Sequence, residues 1–320
     1  MSFHHRTARA FAVAALGVAA MAAPAAATTP GHNGRIAFAA VVADGSQQIF
    51  TVRPDGHGLR QITHADGDSI HLDWSPDGRR LAYEFDSPTV CAMQVMDADG
   101  SDVMDLPGVP GSTCNGQPAF TADGRGLVFE SFTEATNDDA IWSEDLNGGR
   151  QRRIAQNATD PNVSPDGRKM SYVAFGEAEL QQALVVDDIR GGAPRQIVPF
   201  DKDVAIKHDW APNGRRLVYT DNADNFDVSA NVATVRADGT GARYVTHYTD
   251  PEQRAYAGSY SPDGRWIVFR LEDHGQYALM RIRPDGTHLR TILPLSPFRP
   301  RYIDWGVRPE HRGHGHGHAR

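Results

Sequence analysis

The chain has 320 residues, 40% of them hydrophobic, enough to bury a sizeable core. Forty acidic side chains against 32 basic ones give a formal charge of −8. That balance argues against nucleic acid, whose binding rests on phosphate neutralisation by Lys and Arg.

Residues 1–27 read as an export signal. Arg6 and Arg9 open it, Ala10 to Ala23 is apolar, and Ala25-Ala26-Ala27 offers small residues for cleavage. The apolar run is shorter than the ~20 residues of a membrane span, so the mature protein is expected to be periplasmic or extracellular, with no membrane span. Losing Arg6 and Arg9 takes the formal charge from −8 to −10. A short leader, 28–32, precedes the folded region.

From residue 33 to 308 the chain repeats itself. Trp74-Ser75-Pro76-Asp77-Gly78-Arg79-Arg80-Leu81-Ala82-Tyr83 returns with its leading residue at Phe120, Val163, Trp210 and Tyr260, a step of 43 to 50 residues. A second phrase, first seen as Ile49-Phe50-Thr51-Val52-Arg53-Pro54-Asp55-Gly56, occurs six times and ends at Leu279-Met280-Arg281-Ile282-Arg283-Pro284-Asp285-Gly286. Each Asp-Gly or Asn-Gly suits a tight hairpin, and the flanking runs are rich in Val, Ile, Tyr and Phe. Two hairpins per period make a four-stranded unit, and such units repeating every 40 to 50 residues or so predict propeller blades.

The blade count follows from the two ends. Asn33-Gly34-Arg35-Ile36-Ala37-Phe38 is the turn and second strand without a first strand, and Tyr302-Ile303-Asp304-Trp305-Gly306 is a first strand without its turn. The C-terminal strand is expected to complete the first blade. The fold class is therefore all-β, a six-bladed β-propeller closed by residues 302–305 lying beside 35–40. Sheet edges that would invite pairing are removed by this closure.

The two phrases resemble the WD40-like PD40 repeats of the TolB propeller family, over about residues 33–308. The resemblance implies an envelope-associated propeller. TolB carries an extra N-terminal α/β domain for which the residues before 33 leave no room, so only the propeller is expected to be shared.

Cys91 and Cys114 are the two cysteines, and in an exported protein they are expected to form a disulfide, Cys114 from the loop entering a blade. The tail 309–320 alternates His with Gly, as in His314-Gly315-His316-Gly317-His318. It reads as a flexible end, with weak metal binding as the alternative.

Catalytic signatures are missing from the sequence. It has no Gly-x-Ser-x-Gly elbow, no P-loop and no His-Glu-x-x-His. Asp77, Asp123, Asp166 and Asp263 recur before Gly and read as turn formers. A site should instead break the symmetry. The position three before each blade aromatic reads His71, Gln117, Asp160, Lys207, Ala257 and Tyr302, and the position one before reads Asp73, Ala119, Asn162, Asp209, Ser259 and Asp304. The candidate binding set at the channel mouth is His71, Asp73, Gln117, Asp160, Asn162, Lys207, His208, Asp209, Tyr302 and Asp304. His71 with Asp73, and His208 with Asp209, also raise the idea of a metal converging with Asp304; no cofactor or metal is assigned.

The expected function is a monomeric, non-enzymatic exported propeller that binds an envelope protein, peptide or glycan. A lyase or hydrolase in the channel mouth, metal-dependent or not, is the alternative. A scaffold holding partners on its outer faces is a third reading.

Overall fold

The structure, a computed structural model, describes residues 29–176, 181–222 and 227–310. The export segment 1–27 and the tail beyond 310 lie outside the described residues. What is described is six four-stranded antiparallel sheets. Their inner strands are Arg301–Val307 (blade 1), Asp68–Trp74 (blade 2), Cys114–Phe120 (blade 3), Ala158–Val163 (blade 4), Asp209–Trp210 (blade 5) and Gln253–Tyr260 (blade 6). Each inner strand packs against the inner strand of the next blade all the way round, so the ring is closed.

The closing sheet is built as the split repeat requires. Strand Arg301–Val307 pairs antiparallel with Asn33–Val41, with Ile36 opposite Trp305 and Ala37 opposite Asp304. Gly306 is needed there because a Cβ would come within 2.6 Å of the Trp74 ring in blade 2.

The core lies between blades. Along Asn33–Val41, Ile36 and Phe38 pack with Val268 and Leu279 of blade 6, while Ala37 packs with Leu72, Trp74 and Leu81 of blade 2. Alternate side chains of a strand point to opposite faces, and here both faces are covered. This is why the strands read as nearly continuous apolar runs.

The Asp-Gly turns that follow the inner strands are local devices. Their glycines Gly78, Gly124, Gly167 and Gly264 sit at φ of +66° to +67°, the left-handed region where a side chain is disfavoured. In each, the preceding aspartate accepts the N–H two residues on and the hydroxyl two residues before, as Asp77 does with Arg79 and Ser75. Their oxygens serve the turn.

Candidate functional site

The inner strand of a blade pairs on one side only. Ser75 N–H bonds to Arg80 O within blade 2, so by antiparallel alternation the Trp74 N–H faces the open side. A buried N–H without an acceptor costs ~1–3 kcal/mol. The residue one before the aromatic of the preceding blade supplies that acceptor. Trp74 N donates to Asp304 Oδ2 at 2.9 Å, Phe120 N to Asp73 Oδ2 at 2.8 Å, and Tyr260 N to Asp209 Oδ2 at 2.8 Å. Trp305 N donates to Ser259 Oγ at 2.9 Å. Asn162 instead donates its amide to His208 O at 3.3 Å. Unequal as they are, these polar residues all brace one blade to the next.

The position three before the aromatic is different. His71, Gln117, Asp160 and Tyr302 adopt φ of +45°, +49°, +47° and +51°, each at a bulge of its inner strand. Non-glycine residues rarely hold this conformation, and it marks sites where surrounding contacts fix the backbone. His71 Nδ1 lies 2.8 Å from Glu84 Oε2, which also accepts Gln117 N at 3.1 Å. Gln117 Oε1 then accepts Asp160 N at 2.7 Å and Thr159 Oγ at 2.8 Å. Asp160 Oδ2 lies 2.9 Å from His208 Nδ1, and His208 Nε2 is 2.7 Å from Ser171 Oγ. The Tyr302 ring stands edge-on to His71 with centroids 3.9 Å apart. A hydrogen-bonded chain therefore runs from His71 through Glu84 and Gln117 to Asp160, across blades 2 to 4, with the Tyr302 ring of blade 1 against one end and His208 of blade 5 close to the other.

Two spaces meet here. The narrow one is enclosed by His71, Asp73, Gln117, Asp160, Asn162, Lys207 and Tyr302 and holds about 10 Å3, room for about one water. A wider one of about 310 Å3 opens beside it between blades 5, 6 and 1, sharing Lys207 and Tyr302 and adding Arg270, Arg299 and Arg301.

No protein-family model matches the chain. Over 107 residues it is 31% identical to an uncharacterized protein of Agrobacterium fabrum, a third of this chain (33%) and 32% of that one. Over 110 residues it is 31% identical to the Tol-Pal system protein TolB of Chromobacterium violaceum, 33% of this chain and 24% of that protein. These matches span only about a quarter to a third of the curated relatives' length. The crystal structure of TolB from Acinetobacter baumannii superposes with a TM-score of 0.70 at 17% identity, covering 86% of this chain and 67% of that one. The chain is a TolB-like six-bladed β-propeller.

Charge is concentrated on the channel side of this TolB-like propeller. Burial works against the Lys207 ammonium, but Asp304, Asp160, Asp73 and Asp209 more than offset it and raise its pKa. Burial pushes Asp73 well above the usual carboxylate range; Asp304 adds to this and Lys207 opposes it. Glu130, behind the polar chain, is pushed up to about 8, chiefly by burial. Thr159 has one hydroxyl proton and contacts both Gln117 Oε1 and Glu130. A protonated Glu130 resolves this by donating to Thr159 Oγ.

The TolB-like propeller brings His71, Asp73, Gln117, Asp160, Asn162, Lys207 and Tyr302 around one cavity, while His208, Asp209 and Asp304 are buried behind it. It does not assemble the histidine–aspartate metal set: His71 pairs with Glu84 and His208 with Asp160. Among the described residues, one group has three metal-ligating types within 4.8 Å, namely Glu84, Cys91 and Cys114. Its sulfurs are joined in a disulfide linking blades 2 and 3, with Cα atoms 4.8 Å apart. Cys114 opens the inner strand of blade 3 and is not in the loop before it, because that strand starts six residues ahead of its aromatic. Sequence reasoning missed Glu84, Glu130 and the arginines. Arg299 and Arg301, flanking Pro300 at the start of the closing strand, were the available signal.

Proposed function

We propose that this TolB-like propeller is an exported, non-enzymatic protein of the cell envelope that binds a protein or peptide partner at the channel mouth. One observation carries the reading. The inner-ring carboxylates Asp73, Asp209 and Asp304 are engaged with blade backbones, and the space enclosed by the ring takes about one water. A substrate has no room among them, whereas the 310 Å3 space at the rim is open. The export segment, and the relative named for the Tol-Pal system, support the envelope setting. Among the described residues no helix is long and apolar enough to cross a membrane.

A photo-crosslinking residue at Ile206, which is 37% exposed and lines the rim space, tests this. In cells exporting the protein it should trap a discrete partner, while the same probe at Arg125, in a turn on the opposite face, should not. Trapping from Arg125 alone would move the interface elsewhere. Depolymerisation of any member of a polysaccharide or peptide panel by the purified protein would overturn the non-enzymatic reading.

A further inference from the structure

The rim space has a charge opposite to that of the molecule. Against a formal charge of −8 overall, its lining holds Lys207, Arg270, Arg299 and Arg301 with Glu272 as the one carboxylate among the described residues. Lys207 is already matched by the channel aspartates. The three arginines are not matched in this way, since Glu272 is shared between Arg270 at 4.0 Å and Arg299 at 3.7 Å.

Arg270 decides the matter. Its side chain is only 8% exposed, yet its Nε is buried without a hydrogen-bond partner. Its Nη1 reaches Pro300 O only at 3.4 Å, a long bond for an N–H donor. The Arg299 Nε is likewise buried without a partner. A guanidinium carries five donors in a rigid fork that matches a carboxylate. Arg270 is held over the Tyr256 ring, 4.1 Å from its centroid, so the guanidinium is positioned in advance. Burial, with Arg299 alongside, brings its pKa down to about 10, which leaves it charged at neutral pH and short of acceptors. A bound oxyanion would supply them.

We infer that the rim space between blades 5, 6 and 1 binds the carboxylate of an acidic peptide segment, held by Arg270, Arg299 and Arg301. This deepens the binding reading above and rests on it. An acidic sugar offers the same carboxylate together with a ring whose apolar face can stack on an exposed aromatic side chain. Here both tyrosines lining the rim already carry guanidiniums: Tyr256 carries Arg270, and Tyr302 carries Arg301 at 5.0 Å. The uncharged wall is aliphatic, from Ile206, Ala257, Pro300 and Ile303, which suits a peptide backbone and an apolar neighbouring side chain.

Calorimetric titration of the whole exported chain with tetraglutamate, tetraglutamine and trigalacturonate provides the test. Tetraglutamate should bind, more weakly as salt rises, and tetraglutamine should not. Arg299→Gln and Arg301→Gln should each weaken tetraglutamate binding by about tenfold with an unchanged melting temperature, since Arg299 is 40% exposed and Arg301 half-buried. Arg270→Lys, which keeps the charge and loses the fork, should weaken binding as well. Equal binding by wild type and both glutamine variants overturns the inference, as does absence of tetraglutamate binding. Trigalacturonate binding as tightly with the same arginine dependence would replace the peptide by a uronate. Crosslinking from Ile206 is indifferent to these results, so failure here leaves the mouth-binding reading standing.

Discussion

Replacing Asp209 by alanine separates bracing from binding at the inner ring. Its Oδ2 accepts Tyr260 N at 2.8 Å and its Oδ1 accepts Trp210 N at 2.7 Å. Tyr260 is 2% exposed and Trp210 fully buried, so Asp209→Ala strands two N–H groups out of water. At ~1–3 kcal/mol each, the cost is about 2–6 kcal/mol, a large share of the ~5–15 kcal/mol that holds a domain folded. Two charge effects oppose one another: Asp73 loses a repelling neighbour and Lys207 loses an attracting one. Asp209→Asn keeps one acceptor oxygen and should cost about half as much. Asp304→Ala should also fall below Asp209→Ala, because Trp305 N retains Ser259 Oγ and only Trp74 N is stranded. Urea unfolding followed by tryptophan fluorescence measures all three, with Asp166→Asn in a surface turn as control. Asp209→Ala within ~0.5 kcal/mol of wild type, the range of ordinary surface changes, would refute the bracing account.

Glu130 gives a pH signature. Its folded pKa of about 8 stands above the ordinary 4.5, so the native state holds a proton that the unfolded chain has released; its stabilisation is full below pH 4.5 and is lost as pH rises towards 8. Glu130→Gln removes that dependence, and its stability relative to wild type should rise by about 3 kcal/mol between pH 5 and pH 8; a flat difference in urea unfolding across that range rejects the buried acid. Reducing Cys91–Cys114, which closes a loop with a sequence separation of 23, should cost about 3 kcal/mol, read as a lower unfolding midpoint in reductant; an unchanged midpoint counts against a stabilising bridge. Trp305→Ala empties a site that is 1% exposed in the closing strand and should cost ~3–5 kcal/mol, measured by thermal melting; a loss under ~1 kcal/mol would mean that the ring does not depend on this strand.

The architecture is legible in the chain alone. Blades are local objects: each hairpin is specified by its own Asp-Gly turn and its own apolar runs, so a period of 43 to 50 residues, and a repeat cut between the two ends, suffice to count six and to close the ring. The aspartates of the turns are legible for the same reason, since Asp77 bonds within two residues of itself. The roles of the inner residues are not local. Asp73, Asp209 and Asp304 satisfy N–H groups 47, 51 and 230 positions away, and only the curvature of the ring decides which open edge faces which carboxylate. Symmetry-breaking side chains at those positions are therefore different answers to one backbone requirement, which a single sequence displays as variation and nothing more. The arginine-lined rim is also a product of the ring. Arg270 lies mid-strand in blade 6 and Arg299 and Arg301 at the entry to blade 1; they share a wall because the C-terminal strand returns to complete the first blade.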